Sequence, residues 1–467
     1  MNYVAASGAL GSGVDRASLW AALEERPAFI AADAGTTDAG AFALGSGETA
    51  FSRAAVKLDL AAVLEAGIRA GVPVIIGSAG PAGADGHVDW VLEIAAEVAA
   101  EIEERVRTFA IYSEQSTEML EAQLRAGRIR ALRHASELTA EDVGRCERVV
   151  AMMGVEPLQD ALAHGAQLIV AGRCSDAALF AALPLQHGFP AGLAWHAGKV
   201  VECGTLACET MGPGVMLVTV REDSFSVRPI GEDLRCTPQS VAAHSLYETA
   251  NPFLFAEPSG TLDIANATYE AETATSVRVR GSQFHPAGEY SVKLEGAELI
   301  GYRTMLVGGV RDPLILRQLG DWLERVNAYT KASILKTTGI SLDDDRYRVR
   351  FQVYGRDAVM GHLEHAAFAG HEVGVVCTTL APTQGEATEM ARLYRQPLLH
   401  APIPEWKGSI TAFAYLHNPP WTELGPAYRF CLNHVLLLDE PQAVHTLRLV
   451  ELGMSDGRLS AVSEATT

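Results

Sequence analysis

AQLIVAGRCSDAALFAAL, residues 166–183, decides the fold. The apolar run Gln167 to Ala171 reads as a buried strand. Gly172-Arg173-Cys174-Ser175-Asp176 reads as a turn, and a helical pattern follows. The same grammar recurs upstream. Phe29 to Ala32, within FIAADAGTTDAG (29–40), is a short strand opening onto a loop with Asp33, Thr36, Thr37 and Asp38. Arg53 to Ala70 has apolar residues at helical spacing and stops at Gly71, a good C-cap. Val72 to Ile76 is a strand followed by Gly77-Ser78-Ala79-Gly80. Val88 to Arg105 is a helix, and Thr108 to Tyr112 a strand ending in Ser113-Glu114-Gln115. Strands alternating with helices of this length form βαβ units, which means a parallel sheet with right-handed crossovers. Ligands bind such sheets at the carboxyl ends of the strands, where loops converge. The polar loops are therefore expected along one edge of the sheet.

From about residue 215 the texture changes. VMLVTVREDSFSVRPI and TSVRVRGSQF alternate in the β manner and predict a mixed or antiparallel region, read as an inserted β layer. Leu314 to Thr330 returns to helix. The polar run SLDDDR (341–346) marks a boundary. The expected organisation is a large α/β domain over 1–345, with a mostly parallel sheet plus a mixed β region. A small α+β domain over 346–467 follows, ending in a disordered tail, LSAVSEATT. In this second part RYRVRFQVYG and YRFCLNHVLLL read as strands and EATEMARLYRQPLLH as a helix.

Composition narrows the class. The chain has 467 residues, 48% apolar and 20% charged, with a formal net charge of −20. That acidic balance argues against nucleic acid and anionic membrane, which need a basic footprint. An anionic substrate would have to meet a local basic pocket. The seven cysteines (146, 174, 203, 208, 236, 377, 431) show no C-x-x-C spacing. They predict neither a disulfide framework nor a cysteine zinc site, and a reducing cytoplasm is expected. MNYVAASGALGSGVD is not of signal-peptide type. No apolar run approaches the roughly 18 residues that a spanning helix needs.

Several constellations can carry chemistry. In the first loop, Thr36 and Thr37 suit oxyanion binding, and Asp33 or Asp38 suits acid–base work; the plain alternative is an Asx-type turn. Gly77 and Ser78 lie where a backbone can approach a ligand, or simply turn tightly. The spacing is neither a P-loop nor G-x-G-x-x-G, and GALGSG (8–13) has the wrong order, so no nucleotide cofactor is expected. Arg173, with Ser175 and Asp176, can hold a substrate carboxylate, or can be paired within the sheet top. On a helix His196, Lys199 and Cys203 would share a face, with Glu202 beside them, giving an imidazole-activated thiol or a Lys/His acid–base pair. A buried cysteine with a surface lysine is the commoner arrangement. His362-x-x-His365 with Glu364, then His371-Glu372, has metal-like content without H-E-x-x-H spacing; a solvated face is expected and no metal. No G-x-S-x-G elbow occurs. Lys293, Glu295, Tyr302 and Arg303 are polar groups inside a β-like run that can reach the pocket.

The chain resembles the acyclic terpene utilisation AtuA family along nearly all its length. The carrying segments are ASGALGSG, FIAADAGTTDAG, VIIGSAGPAGADGHVDW, IYSEQ, YSVKLEGAELIGYR, GPAYRFCLNHVL and two long runs. One is VAGRCSDAALFAALPLQHGFPAGLAWHAGKVVECG (170–204), the other APTQGEATEMARLYRQPLLHAPIPEWKGSITAFAY (381–415). The likeness implies catabolism of branched or terpenoid acids through CoA thioesters, and a large α/β domain followed by a ferredoxin-like module near 346–450. It also implies, for some relatives, a small companion protein. ADAGTTDAG stands where other members read differently, which places this chain in a branch distinct from the terpene enzyme.

Three functions are compatible with these residues. The first is a lyase or hydratase acting beside the carboxylate or thioester of a small acid or acyl-CoA. Arg173, Thr36 and Thr37 would bind, Asp33 or Asp38 would be the base, and His196 or Lys199 the acid. The second is a hydrolase using Cys203 activated by His196. The third is a binding subunit that needs a companion. A homo-oligomer is expected.

Overall fold

In the computed structural model the described residues are 1–49, 51–210, 212–246, 249, 251–366, 370–453 and 460–461. The chain divides into two compact units, residues 1–298 with 430–467, and residues 299–429.

The first unit is built on a sheet of eleven strands among the described residues. Its centre is parallel, in the spatial order Asn2–Ala5, Ile30–Asp33, Val74–Gly77, Leu168–Ala171, Val106–Tyr112. Asp33 lies opposite Gly77, and Ala171 opposite Ile111. Because these strands all run one way, their carboxyl ends share one edge. Alternate residues face opposite cores. Tyr3, Phe29, Ala31, Ile75 and Ile169 pack against the helices Glu156–Ala163, Ala178–Gln186 and Ala191–Val201. Val4, Ile30, Ala32, Ile76 and Val170 pack against Arg53–Ala70 and Asp85–Glu101. Burial on both faces is why these strands read as continuous apolar runs.

Antiparallel strands flank the parallel centre. Val215–Val220 pairs with Asn2–Ala5 and continues to Phe225–Ile230, Val277–Arg280 and Thr268–Ala271. On the far side Thr446–Leu452 pairs with Val106–Tyr112. The β-patterned region after 215 is thus largely an extension of the main sheet. Its apolar alternation finds a free edge beside the first strand. Only Leu254–Glu257, Gly260–Asp263 and Gln283–Pro286 form a separate three-stranded sheet.

The second unit, 299–429, runs strand, helix, strand, strand, helix, strand, the element order of a split βαβ motif. Tyr302–Val310 pairs antiparallel with Val373–Ala381, which pairs antiparallel with Arg348–Tyr354. Leu319–Thr338 and Gln384–His400 share one core with these strands through Trp322, Val326, Ile334, Met390 and Tyr394. The boundary expected at 345/346 therefore falls inside this unit. The helix before the polar run packs with the strands after it. Thr446–Leu452, assigned by sequence to the small domain, belongs to the first unit because it completes the main sheet. The expected helix Leu314–Thr330 is two helices, Pro313–Arg317 and Leu319–Thr338. Of the expected disordered tail, only Ser460 and Ala461 fall among the described residues, paired with Glu451 and Val450.

His362, His365 and His371 are exposed, and Ala367 to Ala369 lie outside the described residues. Among the described residues no three His, Cys, Asp or Glu side chains group so as to hold a metal ion. Among them, too, no helix is long and apolar enough to cross a membrane.

One contact gives a sign test of the packing. In a helix interior, glycine to alanine normally stabilises by about 1 kcal/mol. A Cβ on Gly67 would lie 2.4 Å from Cγ2 of Val74, where helix and strand meet. Gly67→Ala is expected to destabilise instead, by about 1–3 kcal/mol. Urea unfolding checks this, and a stabilised variant would contradict the packing.

Candidate functional site

The site grows from the end of the Leu168–Ala171 strand. Past Gly172 the chain is clamped on both sides. The Arg173 N–H donates to Ser113 Oγ at 2.8 Å and to the Gly83 carbonyl at 3.2 Å. The Arg173 carbonyl accepts from Met153 N–H at 3.0 Å, and Ser175 N–H donates to the Met153 carbonyl at 2.9 Å. The guanidinium is thereby aimed inward, where acids meet it. Nε donates to Glu295 Oε2 at 2.9 Å. Nη1 donates to Ser78 Oγ at 3.1 Å, the Cys174 carbonyl at 2.8 Å and Asp176 Oδ1 at 3.1 Å. Glu295 also accepts from Lys293 Nζ at 2.9 Å and Thr37 Oγ1 at 3.3 Å. Burial opposes the charge on Arg173, but Glu295 and Asp176 overcome it and hold the guanidinium well above its usual range. Burial likewise opposes ionisation of Glu295; Arg173 and Lys293 win, and bring it down to about 2.

Asp33, Thr37, Ser78, Arg173 and Asp176 thus meet at one sheet edge. Asp33 is buried and accepts from the N–H groups of Ala34 at 2.8 Å and Gly35 at 3.3 Å. Burial, then Asp176, raises its carboxyl well above the ordinary value. Burial also raises Asp176, against the pull of Arg173. Ser78 is buried and holds a left-handed φ of 51°, a strained choice for a side-chain-bearing residue.

In front of this cluster lies a pocket of about 370 Å³. Arg173, Ser175, Asp176, Lys199, Glu202 and Glu257 supply its polar wall, and Met152, Leu254, Phe255 and Ala256 an apolar one. Lys199 comes from the helix Ala191–Val201 and forms an ion pair with Glu202 just past its end. The ammonium also lies 5.9 Å from the centre of the Phe255 ring. Burial works against its charge, but Glu202 and Asp176 keep it above the usual range. Glu202 is pushed up to about 8, first by burial, with Lys199 opposing and Asp176 adding. Glu257 accepts from Ser175 Oγ at 2.6 Å. Burial pushes its carboxyl up to about 7, despite that hydrogen bond and Lys199.

Other expected site residues lie elsewhere or do other work. His196 is fully buried against Phe225 and Tyr269. Its ring nitrogens meet Ser282 Oγ at 2.7 Å, Tyr269 Oη at 3.3 Å and Ser245 Oγ at 3.4 Å. Burial lowers its pKa to about 3, so it stays neutral. The helix ends at Val201, so Cys203 does not continue the His196/Lys199 face. Burial, then Glu202, pushes the Cys203 thiol up to about 12. Thr36 and Asp38 are exposed, and Thr36 Oγ1 accepts from Asp38 N–H at 3.1 Å, which is the turn reading of that loop. Gly77 gives no clearance to a ligand: a Cβ there would lie 2.2 Å from Leu179 Cδ2 and 2.6 Å from Cys174 Sγ. Its missing side chain lets the helix pack onto the sheet.

Sequence reasoning missed Glu257. The available signal was FLFAE (253–257), where Glu257 follows Phe255 by two and so shares its strand face.

Comparison with known proteins gives one match. The family described as acyclic terpene utilisation family protein AtuA matches residues 31–403. No curated protein matches the chain, and no solved structure does. The match covers most of the chain, which therefore belongs to the AtuA family.

Removing one partner of a buried ion pair costs about 3–5 kcal/mol, because it leaves an uncompensated charge. Arg173→Ala strands Glu295 and Asp176 and is expected to destabilise the fold by about that amount. The double variant Arg173→Met/Glu295→Gln is expected to recover part of the loss. Equal stability of Arg173→Ala and wild type in urea would contradict the role given to Arg173.

Proposed function

We propose that this AtuA-family chain is an enzyme that moves protons on a small acyclic acid or its thioester, adding water to, or eliminating it from, the carbons beside the carbonyl. The family is tied to utilisation of acyclic terpenes, a catabolic role. An acyclic terpene skeleton is a flexible hydrocarbon chain, and Met152, Leu254 and Phe255 offer it an apolar wall. Glu257 and the Lys199–Glu202 pair carry the protons. In the hydration direction one carboxylate takes a proton from water as its oxygen bonds to the β-carbon. A protonated partner delivers a proton to the α-carbon. Elimination runs the same steps backwards.

A single observation carries this reading: two carboxyls with proton affinities near neutrality, Glu257 at about 7 and Glu202 at about 8, line one pocket with an ammonium. Acid–base groups work best when their pKa lies near the operating pH, and environments that shift carboxyls this far cluster at functional sites. The cysteine hydrolase reading loses its support. A thiolate is the nucleophile, and a thiol pushed up to about 12 stays protonated at neutral pH. The neutral His196 makes its hydrogen bonds to Ser282, Tyr269 and Ser245.

The test is turnover of acyclic terpenoid acids and their CoA thioesters, followed as gain or loss of water by mass. Glu257→Gln keeps the shape and removes the proton site, and is expected to lower kcat by about 100-fold or more. Cys203→Ser is expected to retain wild-type kcat. Unchanged turnover in Glu257→Gln, or its loss in Cys203→Ser, would reverse the assignment.

A further inference from the structure

We infer that the polar end of this pocket admits an uncharged oxygen, the hydroxyl of an alcohol or the carbonyl of an ester or aldehyde, and excludes a free carboxylate. This rests on the acid–base reading for the place of the site, and goes beyond it by naming the charge of the group that enters.

The argument starts from the cations, which are already taken. An arginine that recognises a ligand carboxylate presents both prongs of its fork to it. Here Nε goes to Glu295 Oε2 and Nη2 faces Glu295 Oε1 at 3.5 Å, so the fork is turned onto the protein's own acid. Nη1 is held by Ser78, Cys174 and Asp176. Lys199 is paired with Glu202, and Lys293 with Glu295. Arg173 and Glu295 have side chains only 8% and 5% exposed.

The acids outnumber these cations. Asp176, Glu202 and Glu257 stand in the pocket wall, and Asp33 and Glu295 behind it. Arg173, Lys199 and Lys293 are the charges set against them. A carboxylate ligand would add a further acid to a partly dehydrated space. To stay there it would have to arrive protonated or break a buried ion pair, and like charges at close range destabilise each other. An uncharged oxygen meets no such penalty. An ammonium has three donors, so Lys199 can donate to that oxygen while keeping Glu202. The expectation that Arg173, Thr36 and Thr37 grip a substrate carboxylate is replaced: the arginine holds the acids, and the acids choose the ligand.

The test compares 1-hexanol with hexanoate, probes of one chain length, by isothermal titration of the full chain. Hexanol is expected to bind wild type at least about tenfold more tightly than hexanoate, a difference of about 1.4 kcal/mol. Its heat is expected to disappear in Leu254→Trp, which narrows the apolar wall at an exposed position. Glu257→Gln, with one acid fewer, is expected to tighten hexanoate binding by about threefold or more. Hexanoate binding wild type as well as hexanol does, or no binding of hexanol, overturns the inference. Either failure is separate from that of the acid–base reading, which is judged by turnover in Glu257→Gln.

Discussion

A guanidinium buried at the end of a parallel strand is the constraint from which the rest of this site follows. Arg173 cannot shed its proton, so the fold must bring acids to it. Asp176 comes from the same turn. Glu295 comes from the long strand Tyr290–Val310, and it carries Lys293 and Thr37 with it. Ser78 is held in a strained backbone conformation to meet the same group. One positive charge thus ties three loops and a distant strand into one sheet edge. Once Arg173 is committed to two acids, Asp33, Glu202 and Glu257 share little more than Lys199. Burial then favours their protonated forms. The catalytic potential of the pocket is therefore a consequence of how the arginine is satisfied.

Local pattern revealed much of the architecture. Ile30–Asp33, Val74–Gly77, Val106–Tyr112 and Leu168–Ala171 were legible because both their faces are buried and turns punctuate them. The helix Arg53–Ala70 was legible to the residue, because Gly71 ends it in a left-handed cap. What could not be read were pairings between segments far apart. Nothing near Thr446–Leu452 says that it will complete a sheet begun at residue 2. Nothing in SLDDDR says that the helix before it packs with the strands after it.

The site divides in the same way. Asp33, Thr37, Arg173, Asp176, Lys199 and Glu202 could be picked out, since strand-end loops and the segment after them concentrate polar residues. Their roles could not, because a role depends on the partner. Arg173 reads as a ligand anchor until Glu295 is seen across it. His196 reads as a catalytic imidazole until its helix face proves to be core. Glu257 sits on a short strand in a region of weak pattern, and only the tertiary fold brings it over Ser175.

Carbon-13 NMR of the full chain labelled at glutamate carboxyls tests the central claim most directly. Glu257→Gln and Glu202→Gln would assign the two signals. The account predicts that both titrate near neutrality, at about 7 for Glu257 and about 8 for Glu202. Titration of both in the ordinary glutamate range, near about 4.3, would contradict it, because the pocket would then hold carboxylates with no proton to give.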